Sequence, residues 1–267
     1  MDSLDPHSPL VAGMPASRAP RTLGFWRTAL WGLLIVAAFF IGQLTPIGYL
    51  LFLLKSAGPL DNLNAYQQAV IKIAGSPATV ALSAIMGLPG LLIPIFFAVR
   101  YTRLSFAEYL GLRWTSWKNV AFGVVGMVVL LGAWGLISQL TGREEAASNF
   151  MIDMLKTAEG DGSVWLLVVA FCVAAPISEE LMARGFLYRG WSDSFLRVPG
   201  AIILSSLVWT VLHFQYGWFG LLNVLSLGLW FGYLRYRTHS VYLTMVLHGL
   251  NNLAATVQTI WLASGQS

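Results

Sequence analysis

The sequence predicts an all-α, polytopic membrane protein: a bundle of about seven transmembrane helices, with the N-terminus inside and the C-terminus outside. Its 267 residues are 57% hydrophobic and only 10% charged, whereas soluble domains carry about 25% charged residues. Several apolar runs are long enough to cross a bilayer, and the basic residues are distributed unevenly between the connecting segments. The net charge of +4 gives no reason to expect a nucleic-acid partner.

The domain organisation is simple. Residues 1–21 contain four prolines and no apolar core, which is typical of a disordered tail and not of a signal peptide. Residues 22–262 form a single membrane domain without repeats, and residues 263–267 form a short C-terminal tail.

Seven segments qualify as membrane spans because each holds close to 20 predominantly apolar residues. Pro46 lies in the first segment, which is overlong and is expected to kink or tilt. The fifth and sixth are short and meet at Gly217, so we expect a tight helical hairpin. The predicted spans are residues 26–54, 78–99, 118–140, 163–190, 199–216, 218–236 and 241–262.

The basic residues predict the orientation. With the N-terminus inside, twelve of the sixteen lysines and arginines fall on the inner side and four on the outer side. The inner set is Arg18, Arg21, Arg27, Arg100, Arg103, Arg113, Lys118, Arg184, Arg189, Arg197, Arg235 and Arg237. The outer set is Lys55, Lys72, Arg143 and Lys156.

Three charges interrupt the fourth predicted span in the stretch ISEELMARG. A charge at the centre of a membrane helix costs about 2.5–3.5 kcal/mol on insertion scales. Glu180 and Arg184 are four residues apart, in the order that favours an ion pair on one helix face. Glu179 points about 100° away from Glu180 and needs a partner on another helix. A structural alternative places both acids near the inner surface, paired with Arg184 and Arg189.

Two histidines add polar groups to other predicted spans. His213 follows Trp209 by four residues, and His248 precedes Asn252 by four, so each pair shares a helix face. Measured from the predicted inner ends, Glu179, His213, His248 and Asn252 lie about 12–20 Å deep, within a hydrocarbon layer of about 30 Å. We therefore expect them to meet in one cavity, although a membrane histidine can also serve packing alone.

Such a cluster suits amide hydrolysis. A carboxylate and an imidazole can remove a proton from water, and a glutamate withdrawn from solvent is a stronger base. A second imidazole and a carboxamide can stabilise an oxyanion. No activated Ser or Cys nucleophile is indicated, and the HExxH zinc pattern is absent. Glu179, His213 and His248 could still bind zinc, so a metal cofactor stays open.

The three polar segments resemble the motifs of one protein family. EELMAR (179–184) matches the EExxxR signature of the CAAX protease and bacteriocin-processing (CPBP) family of intramembrane proteases. WTVLH (209–213) resembles its FxxxH motif, and HGLNN (248–252) matches its HxxxN motif. The resemblance covers about residues 100–260 and implies a membrane endopeptidase, glutamate-dependent or metal-dependent.

The resemblance also implies roles for these residues. Glu179 would activate the attacking water, His213 would hold or deprotonate it, and His248 and Asn252 would stabilise the oxyanion. We favour glutamate-activated water without a metal, because asparagine is a poor zinc ligand and only two histidines are available.

The remaining motif residues would brace the site. Glu180 and Arg184 would do so through the ion pair that their spacing predicts. Trp209 stands where the family usually has phenylalanine, so we expect a difference in packing there and not in activity.

The resemblance implies a peptide or protein substrate in or on the lipid bilayer, including a lipidated one. A compact chain of this type, with no organelle signal, suits a bacterial plasma membrane. The competing interpretation is a non-catalytic immunity or scaffold protein that retains the same fold. A transporter is disfavoured, because the polar residues form one cluster and do not follow a path across the membrane.

Overall fold

The computed structural model describes residues 20–56, 63–143 and 149–264. Within these ranges the chain is all-helical, with ten helices and no strand, which confirms the predicted fold class. The two predicted tails lie outside these ranges except for residues 20–21 and 263–264.

The helices follow one another with short connections. In chain order they are α1 (Gly24–Ser56), α2 (Leu63–Ala74), α3 (Pro77–Thr102), α4 (Phe106–Leu110), α5 (Trp117–Thr141), α6 (Asn149–Asp161), α7 (Val164–Ser192), α8 (Arg197–Val211), α9 (Trp218–Thr238) and α10 (Val241–Ser264).

Each of the seven predicted spans corresponds to a helix. Four of them, α1, α3, α5 and α7, are long and apolar enough to cross a membrane, and α8 is a shorter apolar helix. These helices make the chain an integral membrane protein. The count of seven spans and the orientation remain predictions.

The prediction for the fifth span was wrong at its C-terminal end. The sequence predicts a helix to residue 216, but α8 ends at Val211 and residues 212–216 form turns before α9. The amide of His213 bonds the carbonyl of Thr210 at 2.9 Å, which is the tight bonding of a terminating helix. His213 therefore lies beyond α8 and not within a span.

Several helix ends have local signals in the sequence. Ser76 and Ser116 accept hydrogen bonds from the amides of Thr79 and Asn119 at the starts of α3 and α5, as N-cap residues do. Ser105 and Glu108 form a reciprocal capping box at the start of α4. These bonds satisfy amides that would otherwise have no partner.

Helix α7 is the central helix of the bundle. Half of its most apolar window is buried, against 11% for α5. Its buried side chains Leu181, Met182, Phe186 and Leu187 pack in one core with α1 and α3, and Ala183 lies in a second core with α9 and α10. The outer helices instead expose large apolar side chains, such as Leu140 on α5, as expected of surfaces that face lipid.

Helices α1 and α3 approach closely at small residues. A Cβ atom added to Gly90 would lie 2.3 Å from the carbonyl oxygen of Ala38, and one added to Gly42 would lie 2.6 Å from that of Met86. The two backbones can approach this closely only without those side chains, as is common for membrane helices.

We expect Gly90→Ala to destabilise the protein by about 1–3 kcal/mol, because the new methyl group would push α1 and α3 apart. Gly48→Ala is the matched control on α1, since no atom lies within 4 Å of its added Cβ. In the control the better helix propensity of alanine should be neutral or stabilising. Thermal unfolding in detergent measures both, and equal midpoints for the two variants would contradict this packing.

Candidate active site

The acidic residues of α7 lie between two π-helical segments. The helix is α-helical at Val164–Val169, π-helical at Ala170–Ala174, α-helical at Ala175–Glu180 and π-helical again at Leu181–Leu187. Wide turns of this kind occur frequently at functional sites. Glu179 and Glu180 are the last two residues of the α-helical segment between them.

Glu180 and Arg184 form the predicted ion pair. Nη1 of Arg184 lies 2.9 Å from Oε1 of Glu180, and both side chains are fully buried. Nη2 of Arg184 donates to the carbonyl of Gly228 at 3.0 Å. The guanidinium also lies over the ring of Trp209, 4.4 Å from its centroid, and the resulting cation–π contact adds to the stability of the buried charge.

His248 extends this buried cluster from α10. Its Nδ1 lies 3.1 Å from Oε1 of Glu180. Because a carboxylate oxygen only accepts, Nδ1 carries the proton and donates it. The Nε2 atom then faces Glu179, with 3.9 Å between Nε2 and Oε2.

Glu179 finds its partner on α8. The indole Nε1 of Trp209 donates to Oε2 of Glu179 at 2.6 Å. Trp209 therefore does more than pack, because a phenylalanine at this position could not donate this bond. The sequence contained a signal in the indole N–H, which usually finds an acceptor when it is buried.

His213 lies on the turn after α8 and faces Glu179 as well. Its Nδ1 is 2.9 Å from the carbonyl of Trp209, one of the carbonyls left free at the end of the helix. A carbonyl only accepts, so Nδ1 holds the proton and Nε2 presents its lone pair. The distance from this Nε2 to Oε2 of Glu179 is 3.7 Å.

Burial decreases across the site, from the ion pair of Glu180 and Arg184 to Glu179 and His213. The side chains of Glu180 and Arg184 are inaccessible and His248 is 4% exposed, whereas Glu179 is 22% and His213 18% exposed. Glu179 and His213 are therefore the accessible members of the cluster, while Glu180 and Arg184 lie behind them.

Asn252 lies one turn beyond His248 and contacts a different part of α7. Its Nδ2 donates to the carbonyl of Phe171 at 2.8 Å, and its Oδ1 accepts from Nδ2 of Asn251 at 3.3 Å. The structure thus brings Glu179, His213 and His248 together around one carboxylate oxygen. Asn252 instead bonds the neighbouring π-helical segment through Nδ2 and Asn251 through Oδ1.

The three candidate metal ligands do not fit a metal ion in this arrangement. In the part of the chain that the structure describes, no group of three or more His, Cys, Asp or Glu side chains could hold one. Oε2 of Glu179, the atom nearest both imidazoles, already accepts the indole proton of Trp209, which weakens it as a ligand. We therefore derive no chemical step through a metal.

Two other features lie away from this cluster. His239 is exposed just beyond the end of α9, and partial burial, together with Arg113 and other nearby arginines, lowers its pKa. An apolar groove of about 550 Å³ lies between α5 and α9, lined in part by Gly126, Trp230 and Tyr233. The lining of the groove contains no carboxylate or imidazole. Neither His239 nor the groove contributes to the candidate site.

Comparison with known proteins agrees with the resemblance seen in the motifs. Residues 161–254 match the family model described as type II CAAX prenyl endopeptidase Rce1-like, which confirms the resemblance to the CPBP family.

A curated relative resembles a shorter part of the chain. The UPF0177 protein YbdI of Lactococcus lactis subsp. lactis (strain IL1403) is 38% identical over 74 residues, which cover 28% of this chain. The match spans about a third of the relative, 35% of its length. No solved structure matches.

We expect Arg184→Ala to destabilise the fold by about 3–5 kcal/mol, because it leaves Glu180 buried without its cation. The control is Asp193→Asn, which breaks the partly exposed pair of Arg189 and Asp193, 3.4 Å apart, and should cost less than about 1 kcal/mol. Thermal unfolding in detergent compares them. An unchanged midpoint for Arg184→Ala would contradict the role of this pair as a brace.

We expect Trp209→Phe to fold normally but to lower kcat about tenfold or more. Phenylalanine retains the ring beside Arg184 and loses the hydrogen bond that orients Glu179; a bond to a charged group contributes about 1.5–3 kcal/mol. Rates with a cleaved peptide, measured beside Trp218→Phe on the exposed start of α9, test this. A Trp209→Phe enzyme with wild-type kcat would show that the indole proton does not position the base.

Proposed function

We propose that this chain is an integral membrane endopeptidase that hydrolyses a peptide bond at or within the membrane, with a water molecule activated by Glu179. The observation that carries the proposal is that two hydrogen-bond acceptors face each other, Oε2 of Glu179 and Nε2 of His213, 3.7 Å apart. One water can donate a proton to each of them. The match to an Rce1-like family supports the same class of reaction.

The first step is attack by this water. Glu179 removes one proton while His213 accepts a hydrogen bond from the other, and the oxygen attacks the carbonyl carbon of the substrate. Glu179 is partly exposed, so water can reach its carboxylate, as a general base requires. Trp209 holds the carboxylate in the required orientation.

The position of His248 supports a role beside the developing oxyanion. Its Nδ1–H bonds Glu180, which holds the ring so that Nε2 faces Glu179 across 3.9 Å. An Nε2–H in this position would donate to the oxyanion.

Asn252 is proposed as a second donor. A carboxamide carries two N–H groups, and the bond to the carbonyl of Phe171 uses one of them. The intermediate collapses when the C–N bond breaks and Glu179 returns its proton to the leaving amine. The other water proton stays on the attacking oxygen, so one water is consumed and a carboxylic acid and an amine are released.

The proposed substrate is a peptide or protein that approaches through the bilayer, including one with a lipidated or hydrophobic C-terminus. Glu179, His248 and Asn252 lie on helices of the bundle and His213 on the turn after α8, and the Rce1-like description is that of a prenyl endopeptidase. We further propose a bacterial plasma membrane as the site of action and a reaction that requires no cofactor.

The test compares newly formed peptide termini, by mass spectrometry, in cells that lack this protein and are supplied with wild type, Glu179→Gln or Glu159→Gln. The first variant keeps the shape of the side chain and an acceptor for Trp209 but removes the base, so the rate should fall at least 10²-fold. Glu159 is exposed on α6 and serves as the matched control. All three proteins must reach equal folded amounts in the membrane.

A terminus that appears with wild type and with Glu159→Gln, and disappears with Glu179→Gln, would establish the reaction and identify the substrate. If Glu179→Gln instead restores every effect of the wild type and no terminus depends on Glu179, the chain acts as a non-catalytic scaffold or immunity protein.

A further inference from the structure

The two π-helical segments of α7 leave two specific carbonyls without a backbone donor. In a π turn each amide bonds the carbonyl five residues earlier, and in an α-helix it bonds the one four residues earlier. When the helix returns from the first pattern to the second, one carbonyl is skipped. The last π-type amides are those of Ala175, which bonds Ala170, and Tyr188, which bonds Ala183. The skipped carbonyls are therefore those of Phe171 and Arg184. Separately, Pro176 has no amide hydrogen and so removes the α-helical donor of the Cys172 carbonyl.

Each skipped carbonyl accepts from a side chain on another helix. Nδ2 of Asn252 on α10 donates to the carbonyl of Phe171 at 2.8 Å. Nε of Arg235 on α9 donates to the carbonyl of Arg184 at 3.1 Å. Because buried carbonyls are rarely left without a partner, these two bonds stabilise the π turns on either side of Glu179 and Glu180.

Arg235 is a buried cation that serves carbonyls and not a carboxylate. It is 4% exposed, and among the described residues it takes part in no ion pair with an acid. Its Nη2 also donates to the carbonyl of Leu110 at 3.4 Å. A Cβ on Gly111, which has φ of 74°, would lie 2.4 Å from this Nη2. Burial of an arginine costs free energy, so we expect a structural effect of Arg235 that offsets this cost.

The effect of Arg235 is to fix the position of Arg184. Gly228 and Arg235 are seven residues apart on α9 and so share a face. The carbonyl of Gly228 accepts from the guanidinium of Arg184, while Arg235 donates to its main-chain carbonyl. Helix α9 therefore holds Arg184 at both ends, and Arg184 in turn holds Glu180, to which His248 is bonded.

We infer that Arg235 is a positioning residue of this site: it satisfies the carbonyl of Arg184 that the second π turn leaves free and so maintains the register that aligns Glu180 and His248 with Glu179. The catalytic part of this inference rests on the proposed function. The structural part, the stabilisation of the π turn by Arg235, does not.

The test uses the full chain in lipid nanodiscs as wild type, Arg235→Met, Arg235→Lys and Arg237→Met. Methionine keeps the apolar stem and removes every donor, whereas lysine restores one donor to the carbonyl. Arg237 is exposed and lies over the ring of Phe122, so its variant is the matched control. The measurements are amide hydrogen exchange of residues 181–192 and, on a cleaved peptide, kcat and KM.

We expect Arg235→Met to speed exchange in residues 181–192 at least tenfold while exchange in α1 and α3 stays unchanged. Its kcat should fall at least tenfold with KM within twofold, lysine should recover a substantial part of both effects, and the control should match wild type. If Arg235→Met does not fold, the lysine variant decides the question: wild-type exchange and kcat support the inference, and loss of both overturns it.

Unchanged exchange in residues 181–192 of a folded Arg235→Met protein would overturn the inference, as would acceleration that is equal in all helices. If the wild type cleaves no peptide, the proposed function is contradicted. Faster exchange of residues 181–192 in Arg235→Met would still support the role of Arg235 in the π turn. Active wild type with an equally active Arg235→Met would overturn the positioning role alone.

Discussion

The ion pair between Glu180 and Arg184 is the interaction on which the rest of the site depends. Two opposite charges 2.9 Å apart, both inaccessible to solvent, would be prohibitive in an apolar bundle without further contacts to the pair. The surrounding groups supply such contacts, while Oε2 of Glu180 and Nε of Arg184 have no hydrogen-bond partner among the described residues. His248 donates to the same carboxylate oxygen, Gly228 accepts from the guanidinium, and the Trp209 ring covers it. These bonds connect α7, α8, α9 and α10, so that satisfying one buried pair also fixes the positions of the helices that carry the reacting groups.

The same network separates two carboxylates that are neighbours in sequence. Glu180 faces the interior and is neutralised, whereas Glu179 points toward the more open side and receives its only described hydrogen bond from the indole of Trp209. A base must remain ionised, oriented and accessible to water at once. The buried pair provides rigidity without forming a bond to Glu179. The helix α7 departs from regular α-helical bonding on both sides of the two carboxylates, so they have different surroundings within one turn.

Much of this arrangement could be predicted from the sequence. Apolar runs located seven of the ten helices that the structure describes, and the four-residue spacing of Glu180 and Arg184 predicted their pair, because both signals are local. The end of α8 was misplaced because Leu212, Phe214 and Tyr216 continue the apolar run up to Gly217. In the structure the helix has ended before them, and Nδ1 of His213 bonds the free carbonyl of Trp209. The π turns, the bond from Trp209 to Glu179 and the contact of Arg235 with Arg184 depend on contacts between residues 30 to 81 positions apart, which a single sequence does not encode as a pattern.

The most direct test of this account is an experimental structure of the protein in a lipid nanodisc at a resolution that shows ordered solvent. The account predicts a water peak about 2.8 Å from both Oε2 of Glu179 and Nε2 of His213, with Nδ1 of His213 still bonded to the carbonyl of Trp209. A strong peak about 2.0–2.1 Å from Glu179, His213 and His248 together would identify a metal centre. That result, or a His213 ring turned away from Glu179, would contradict the central claim that these two acceptors hold the attacking water.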